Sequence, residues 1–359
     1  MKIKYVFVLF IACLITSSDL LRAQQTYAPP KLTNEKSWSM MLLPDPQTYG
    51  KFGRNQPIFE MMTAWIAESI DPLNIDMVLC TGDLVEQNNM PNPGFTNGDQ
   101  PSKSQWESVA RGFSRLDGRV PYIAATGNHD FGLKSAESRH TFYDQYFPVD
   151  KNFRSQKLLR EVGVNSEGMP TLANAAYDVT SPHGQKILYL VLEFAPRNAI
   201  LEWALKVVNQ EKYKDHFVIL LTHTYINSQS EHIEKEGYPM IDSNYGKAIF
   251  EKLVKPSKNI RMVFSGHIAK PDDVMGHIGF RTDVNAGGKK VHQMMFNAQA
   301  LGGGWHGNGG DGWLRILEFL PDGKTVKVKT FSPLFAISPA TRHLAWRTEA
   351  HDQFDIILD

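Results

Sequence analysis

The sequence predicts an α/β fold. Between Trp38 and Phe264, short apolar runs alternate with amphipathic segments, the pattern of strands covered by helices. Several of the apolar runs stop abruptly at Asp, Asn or His next to Gly or Pro. In α/β sheets, sites are built along the C-terminal edges of the strands. A glycine there lets the backbone turn and come close to a ligand.

The elements follow in chain order. Trp38 to Leu43 is a first strand, broken by Pro44-Asp45-Pro46-Gln47. Pro57 opens a helix running to Ile70, with Phe59, Met62, Ile66 and Ile70 on one face. Met77 to Cys80 is the second strand and ends in Thr81-Gly82-Asp83-Leu84-Val85-Glu86. Asn88 to Ser104 is rich in Asn, Pro and Gly and reads as a loop. Trp106 to Leu116 is a helix. The third strand lies within Val120 to Asp130, where VPYIAAT runs into Gly127-Asn128-His129-Asp130. Phe131 to Ala176, carrying Phe142, Tyr143, Tyr146 and Phe147, reads as an insertion over the site.

Ile187 to Phe194 is a strand and Ala199 to Val208 a helix. Phe217 to Leu221 is a strand ending in Thr222-His223-Thr224. Ser243 to Val254 is helical with Ser243 as its cap. Ile260 to Phe264 is a strand ending in Ser265-Gly266-His267. A glycine-rich loop covers Gly302 to Gly312. The runs Leu314 to Leu320 and Thr325 to Phe331 flank Pro321-Asp322-Gly323-Lys324, a hairpin signal.

The formal net charge is zero and 42% of residues are hydrophobic, an ordinary globular balance. A general nucleic-acid binder would show a basic excess, so no nucleic-acid partner is expected. Lys2 and Lys4 precede the apolar run Tyr5 to Ile15, and Leu21-Arg22-Ala23 follows. Residues 1–23 therefore read as a signal peptide and 24–359 as one exported domain, periplasmic or secreted. No membrane span is expected after the signal, and Cys13 fits a lipoprotein anchor poorly. Cys80, the only other cysteine, lies in an apolar run and reads as core.

Set side by side, the strand ends offer Asp45 and Gln47; Asp83; Asn128, His129 and Asp130; His223; and His267. One Asp at a strand end is commonly a turn or a cap. Five such ends in one chain point instead to a shared centre. Oxygen and imidazole donors without thiolate suit Mn, Fe, Zn or Mg at a hydrolytic site. One carboxylate can bridge two such ions, which then clamp a phosphoryl group and activate water. His129 suits a general acid, oriented and charged by Asp130 beside it.

Asp45-Pro46-Gln47, Gly82-Asp83, Gly127-Asn128-His129-Asp130, Thr222-His223 and Gly266-His267 together resemble the ordered motifs of the calcineurin-like metallophosphoesterases. The tail from Asn297-Ala298-Gln299 to Gly310-Asp311-Gly312-Trp313-Leu314-Arg315 is similar to a secreted bacterial branch of that family. The resemblance implies a four-layer α/β/β/α sandwich. It implies that Asp83 bridges two metals, that Asn128, His223 and His267 complete one site, and that Asp45 belongs to the other. His129 would meet the phosphoryl group of a small-molecule phosphoester, supported by Asp130.

Two departures fall at one metal. Gln47 stands where the family has His, and Ala269 stands where it has the second His of Gly-His-x-His. Three readings stay open. Asp45, the Gln47 carbonyl and Asp83 hold an oxygen-liking ion; or His277, His292 or His306 fills the gap; or only one ion binds. Glu86, Arg197, Trp305 and Trp313 are further candidates for the site, each with an ordinary structural reading beside it. The expected function is hydrolysis of a phosphomonoester or phosphodiester by a metal-activated hydroxide, with one or two divalent ions as cofactor. The alternative is a non-catalytic relative that binds metal or phosphate, which the intact Gly127-Asn128-His129-Asp130 speaks against.

Overall fold

The computed structural model describes residues 27–94 and 98–359; the expected signal peptide, 1–23, and its Cys13 lie outside the described residues. In chain order the strands are β1 (Trp38–Leu43), β2 (Ile75–Cys80), β3 (Tyr122–Ala124), β4 (Leu159–Val164), β5 (Pro170–Thr180), β6 (Lys186–Val191) and β7 (Phe217–Leu221). They continue as β8 (Ile260–Ser265), β9 (Ile278–Val284), β10 (Lys290–Phe296), β11 (Leu314–Phe319), β12 (Thr325–Phe331), β13 (Trp346–Arg347) and β14 (Phe354–Ile357). The longer helices are α1 (Gln56–Glu68), α2 (Ser102–Ser114) and α3 (Asn198–Val208).

The strands form two seven-stranded sheets. The first has the order β13-β12-β11-β1-β2-β3, with β14 also paired to β12. The second has the order β4-β5-β6-β7-β8-β10-β9. At one end of the first sheet β1, β2 and β3 run parallel. In the second, β6, β7, β8 and β10 do so. Each parallel set sends its C-terminal ends to one edge, and the two edges meet at the motif residues.

Alternation along the strands builds the layers. Met40 and Leu42 of β1 point into the seam between the sheets, against a layer that includes Tyr189, Val191, Ile219, Leu221 and Phe264. Met41 and Leu43 point the other way, into a cluster with Phe59, Met62 and Ile66 of α1 and Trp106, Val109 and Phe113 of α2. On the far side, Leu188, Leu190, Val218 and Leu220 pack with Leu201, Ala204 and Val208 of α3 and with Ile249 and Leu253. The result is the expected α/β/β/α sandwich. Burial on both faces explains why the central strands read as unbroken apolar runs. Leu79 is fully buried in the seam. Leu79→Ala should cost about 2–5 kcal/mol of unfolding free energy, read from denaturant titration of the folded chain.

The structure corrects two readings and adds a pair of strands. Phe131 to Ala176 is not wholly an insertion: β4 and the first part of β5 extend the second sheet. The edge strand β4 is half-buried or exposed apart from one buried residue, and so carries no clear alternation. Between His267 and the glycine-rich loop, β9 and β10 add an antiparallel pair. His292 and Gln293 interrupt the apolar run of β10 and hide it, although both are buried. Ser243 does not cap the helix that follows; Tyr245 holds that position, and the Ser243 hydroxyl donates to the Met240 carbonyl.

Candidate metal centre

Gly82, at φ +109°, and Asp83, at φ +48°, turn the chain sharply after β2. Asp tolerates that left-handed region better than most residues. The Asp83 carboxylate is thereby aimed across the sheet edge, where Oδ1 accepts from the His129 amide at 3.0 Å. Its Oδ2 lies 3.2 Å from His223 Nε2. Gly127 allows this approach, because a Cβ there would collide with the Asp83 carboxylate and backbone nitrogen. Gly127→Ala should therefore lower cation affinity about 10–100-fold and stability by about 1–3 kcal/mol. Calorimetric cation titration and a melting curve would show both.

Three donor atoms converge beside the Asp83 carboxylate. Asn128 Oδ1 is 3.2 Å from His223 Nε2 and 2.9 Å from His267 Nδ1. The two imidazole nitrogens are 3.2 Å apart. Neighbours fix which atoms face inward. His223 Nδ1 is 2.8 Å from the Thr81 carbonyl, an acceptor only, so its hydrogen sits there and Nε2 presents a lone pair. His267 Nε2 faces Glu236 Oε1 at 3.3 Å, which places its hydrogen there and leaves Nδ1 to face the cluster. Asn128 Nδ2 donates to Ser135 Oγ at 2.8 Å, which turns the amide oxygen inward.

Two imidazole nitrogens, an amide oxygen and a carboxylate, all electron-pair donors, thus face one another. A divalent cation is the group that fits them, and two nitrogens with two oxygens suit Mn, Fe or Zn. Among the described residues, Asp83, His223 and His267 form a metal-competent group with ligand atoms within 4.8 Å of one another. His267 is held at φ +77° to reach it, backbone strain of the kind found at ligand sites. The charges agree. Burial opposes a charged His223, but Asp83 and Asp45 outweigh it and push the imidazole up to about 9. Burial would raise Asp83, but His223 and then His129 hold its carboxyl well below the usual carboxylate range.

The other metal position of the family differs. Asp45 is fully buried. Its Oδ1 accepts from the Thr81 hydroxyl at 2.5 Å. Its Oδ2 accepts from the His267 amide at 2.8 Å and from Asn297 Nδ2 at 2.7 Å. Burial pushes Asp45 up to about 6, with the Asp83 charge adding to the rise and His223 opposing it. Gln47 turns its amide nitrogen, not its carbonyl, to Asp83 Oδ2 at 3.0 Å. Its buried oxygen has no hydrogen-bond partner. None of the three later histidines fills the gap: His277 pairs with the Asp273 carbonyl, His292 with the Thr282 hydroxyl, and the His306 ring sits against Phe52.

His129 is half-buried beside the cluster. Its Nδ1 lies 2.6 Å from the Glu86 carbonyl, so that carbonyl, and not Asp130, orients the ring. Burial lowers its affinity for a proton, but Asp83 and then Glu86 outweigh this and raise it. The Asp130 carboxylate adds to the raised proton affinity of the ring through its charge, while its hydrogen bonds go elsewhere. Asp130 Oδ1 accepts from the Val85 amide at 3.1 Å and Oδ2 from the Gly127 amide at 2.7 Å. Asp130 ties the loop after β2 to the loop after β3. The Glu86 carboxylate pairs with buried Lys51 at 3.1 Å. Arg197 is committed to Glu193, with Nε 2.9 Å from Oε1. Trp313 packs under the glycine loop against Phe335, while Trp305 stands 40% exposed.

Sequence reasoning missed Glu236, Ser135 and the placement of Asn297. Glu236 and Ser135 lie in polar loops with no periodic signal. Asn297 follows β10, a strand that had not been read, so its place at the common edge was hidden.

Residues 40–271 match the family described as calcineurin-like phosphoesterase. An uncharacterized protein, YvnB of Bacillus subtilis (strain 168), is 30% identical over 286 residues, 77% of this chain. The chain spans 18% of that relative's length. Among solved structures, a purple acid phosphatase from yellow lupin (Lupinus luteus) superposes at a TM-score of 0.48, with 15% identity, covering 93% of this chain and 55% of its own. A dimetal phosphatase from Danio rerio superposes at 0.48 with 10% identity, covering 90% and 99%. By the match over residues 40–271, and with the motif residues gathered at one edge, the chain belongs to the calcineurin-like phosphoesterase family.

Proposed function

We propose that this chain is a hydrolase of small-molecule phosphoesters. It works with a divalent cation held by Asp83, Asn128, His223 and His267, and His129 serves the leaving oxygen. The observation that carries this reading is the convergence of four lone-pair donors beside a half-buried imidazole. A divalent cation bound there would supply polarisation of a phosphoryl oxygen and a water of lowered pKa.

The chain's own groups do the rest. Asp83 anchors the His129 amide and so fixes the distance between imidazole and cluster. The Glu86 carbonyl holds the hydrogen of His129 Nδ1, leaving Nε2 as the working nitrogen. The neighbouring carboxylates favour a proton at that nitrogen, which suits a donor to a departing alkoxide. Glu236 and Thr81 lock the tautomers of His267 and His223. We further propose that the chain is exported, on the strength of the Lys2 to Ala23 pattern.

The test is hydrolysis by chain stripped of metal and then given Mn, Mg, Zn or nothing. A nitrophenyl phosphate monoester and a diester are offered side by side, with Asp83→Ala as control. Metal-dependent turnover that vanishes in the control supports the enzyme, and the better ester sets the substrate class. Absence of turnover with every metal, from chain shown to be folded, would move the reading to a binding protein anchored on the same cluster.

A further inference from the structure

We infer that the centre is mononuclear: one cation binds at Asp83, Asn128, His223 and His267, and hydrogen-bond donors of the chain itself occupy the family's second metal position. The inference rests on the cluster being a cation site. It goes beyond the proposed activity, which either one or two ions could serve.

The argument starts at Asp45. A carboxylate that is to hold a metal must turn a lone pair toward it. Here the two oxygens already take three donors, the Thr81 hydroxyl, the His267 amide and the Asn297 side chain. Two of these cannot reverse. The His267 amide is backbone. Asn297 is locked because its Oδ1 accepts from the Ala298 amide at 2.6 Å and the Gln299 amide at 3.0 Å, so its NH2 group must be the end that faces Asp45. The carboxylate charge is therefore met by hydrogens of the chain, at donor-to-oxygen distances of 2.5–2.8 Å. These are strong contacts to a charged acceptor.

Gln47 repeats the device on the other side. Its Nε2 donates to Asp83 Oδ2, the carboxylate that would bridge two ions, at 3.0 Å. A second positive centre facing Asp83 is thus replaced by an amide hydrogen. The residues that would supply nitrogen to a second ion are Gln47 and Ala269 in this chain, so no imidazole is available from either. Among the described residues, the metal-competent group contains Asp83, His223 and His267 but not Asp45. Both departures from the family pattern fall at this one position, and both remove affinity for a second ion while the first site keeps all four donors.

The test counts metal and does not read turnover. Stripped chain is given excess Mn, passed through a desalting column and analysed by plasma mass spectrometry and electron paramagnetic resonance. The expected result is about one Mn per chain with the spectrum of an isolated ion. Two retained ions with an exchange-coupled spectrum, or no retained ion, overturn the inference. His223→Ala should drop retention to background, whereas Asp45→Asn, checked for folding by circular dichroism, should keep the one ion. Retention in the first variant, or loss in a folded second, also overturns it. A one-ion chain without turnover would leave this inference standing while sinking the proposed activity. A two-ion chain that turns over would do the reverse.

Discussion

His129→Ala should lower kcat by about 10²–10⁴-fold while the chain keeps its bound cation. The ring is placed to act on a departing group, not to hold metal. Its Nδ1 is spent on the Glu86 carbonyl, and its connection to Asp83 runs through the backbone amide. Removing the imidazole leaves that amide in place, so the Asp83 carboxylate keeps its support. A nitrophenolate is a good leaving group that needs little protonation, so the loss should be smaller on nitrophenyl esters than on alkyl phosphates. Steady-state kinetics on both ester types, with Mn retention measured on the same sample, would check this. Loss of Mn together with activity would show that the ring supports the metal and not the leaving oxygen.

Asp83→Ala should be more severe, with kcat/KM reduced at least about 10³-fold and cation retention lost, because it removes a ligand and a transition-state clamp together. Asp83 is the hub of the centre. It accepts from the His129 amide and from Gln47 Nε2, and His223 Nε2 lies 3.2 Å from its Oδ2. Without it, two donors lose their acceptor at a buried position, a loss of about 1–3 kcal/mol. An opposing gain comes from relief of charge, since Asp83 also raises the proton affinity of buried Asp45 and Asp130. The metal-stripped variant should therefore melt close to the stripped parent, while the parent alone is stabilised by added Mn. Differential scanning calorimetry with and without Mn separates the two effects.

Much of this was legible because buried parallel strands write themselves as apolar runs. Trp38–Leu43 and Phe217–Leu221 were read to the residue for that reason. The motif residues were legible because a sheet edge collects the ends of such runs. What the sequence could not show was how shared hydrogens are divided. Adjacency of His129 and Asp130 suggested a pair, yet the tight turn over Asn128–Asp130 sends their side chains to different partners. Gln47 was expected to offer its carbonyl, but a carboxylate within reach selects the NH2 end of an amide. Glu236 reaches His267 from a loop remote in sequence, a pairing that local pattern does not encode.

The centre is also a seam between two halves of the molecule. Asp83 and Asn128 follow strands of the first sheet, and His223 and His267 follow strands of the second. Their donor atoms meet only after the two sheets have docked through the layer that holds Leu42, Leu79 and Leu221. A cation that spans them is a crosslink completed at the end of folding. An ion held at about one hundred times its dissociation constant adds about 2.7 kcal/mol to the folded state. Because that contact forms late, the gain acts on escape from the native state and not on the approach to it. The bound ion would set how long the sandwich stays shut, and hardly alter how fast it assembles.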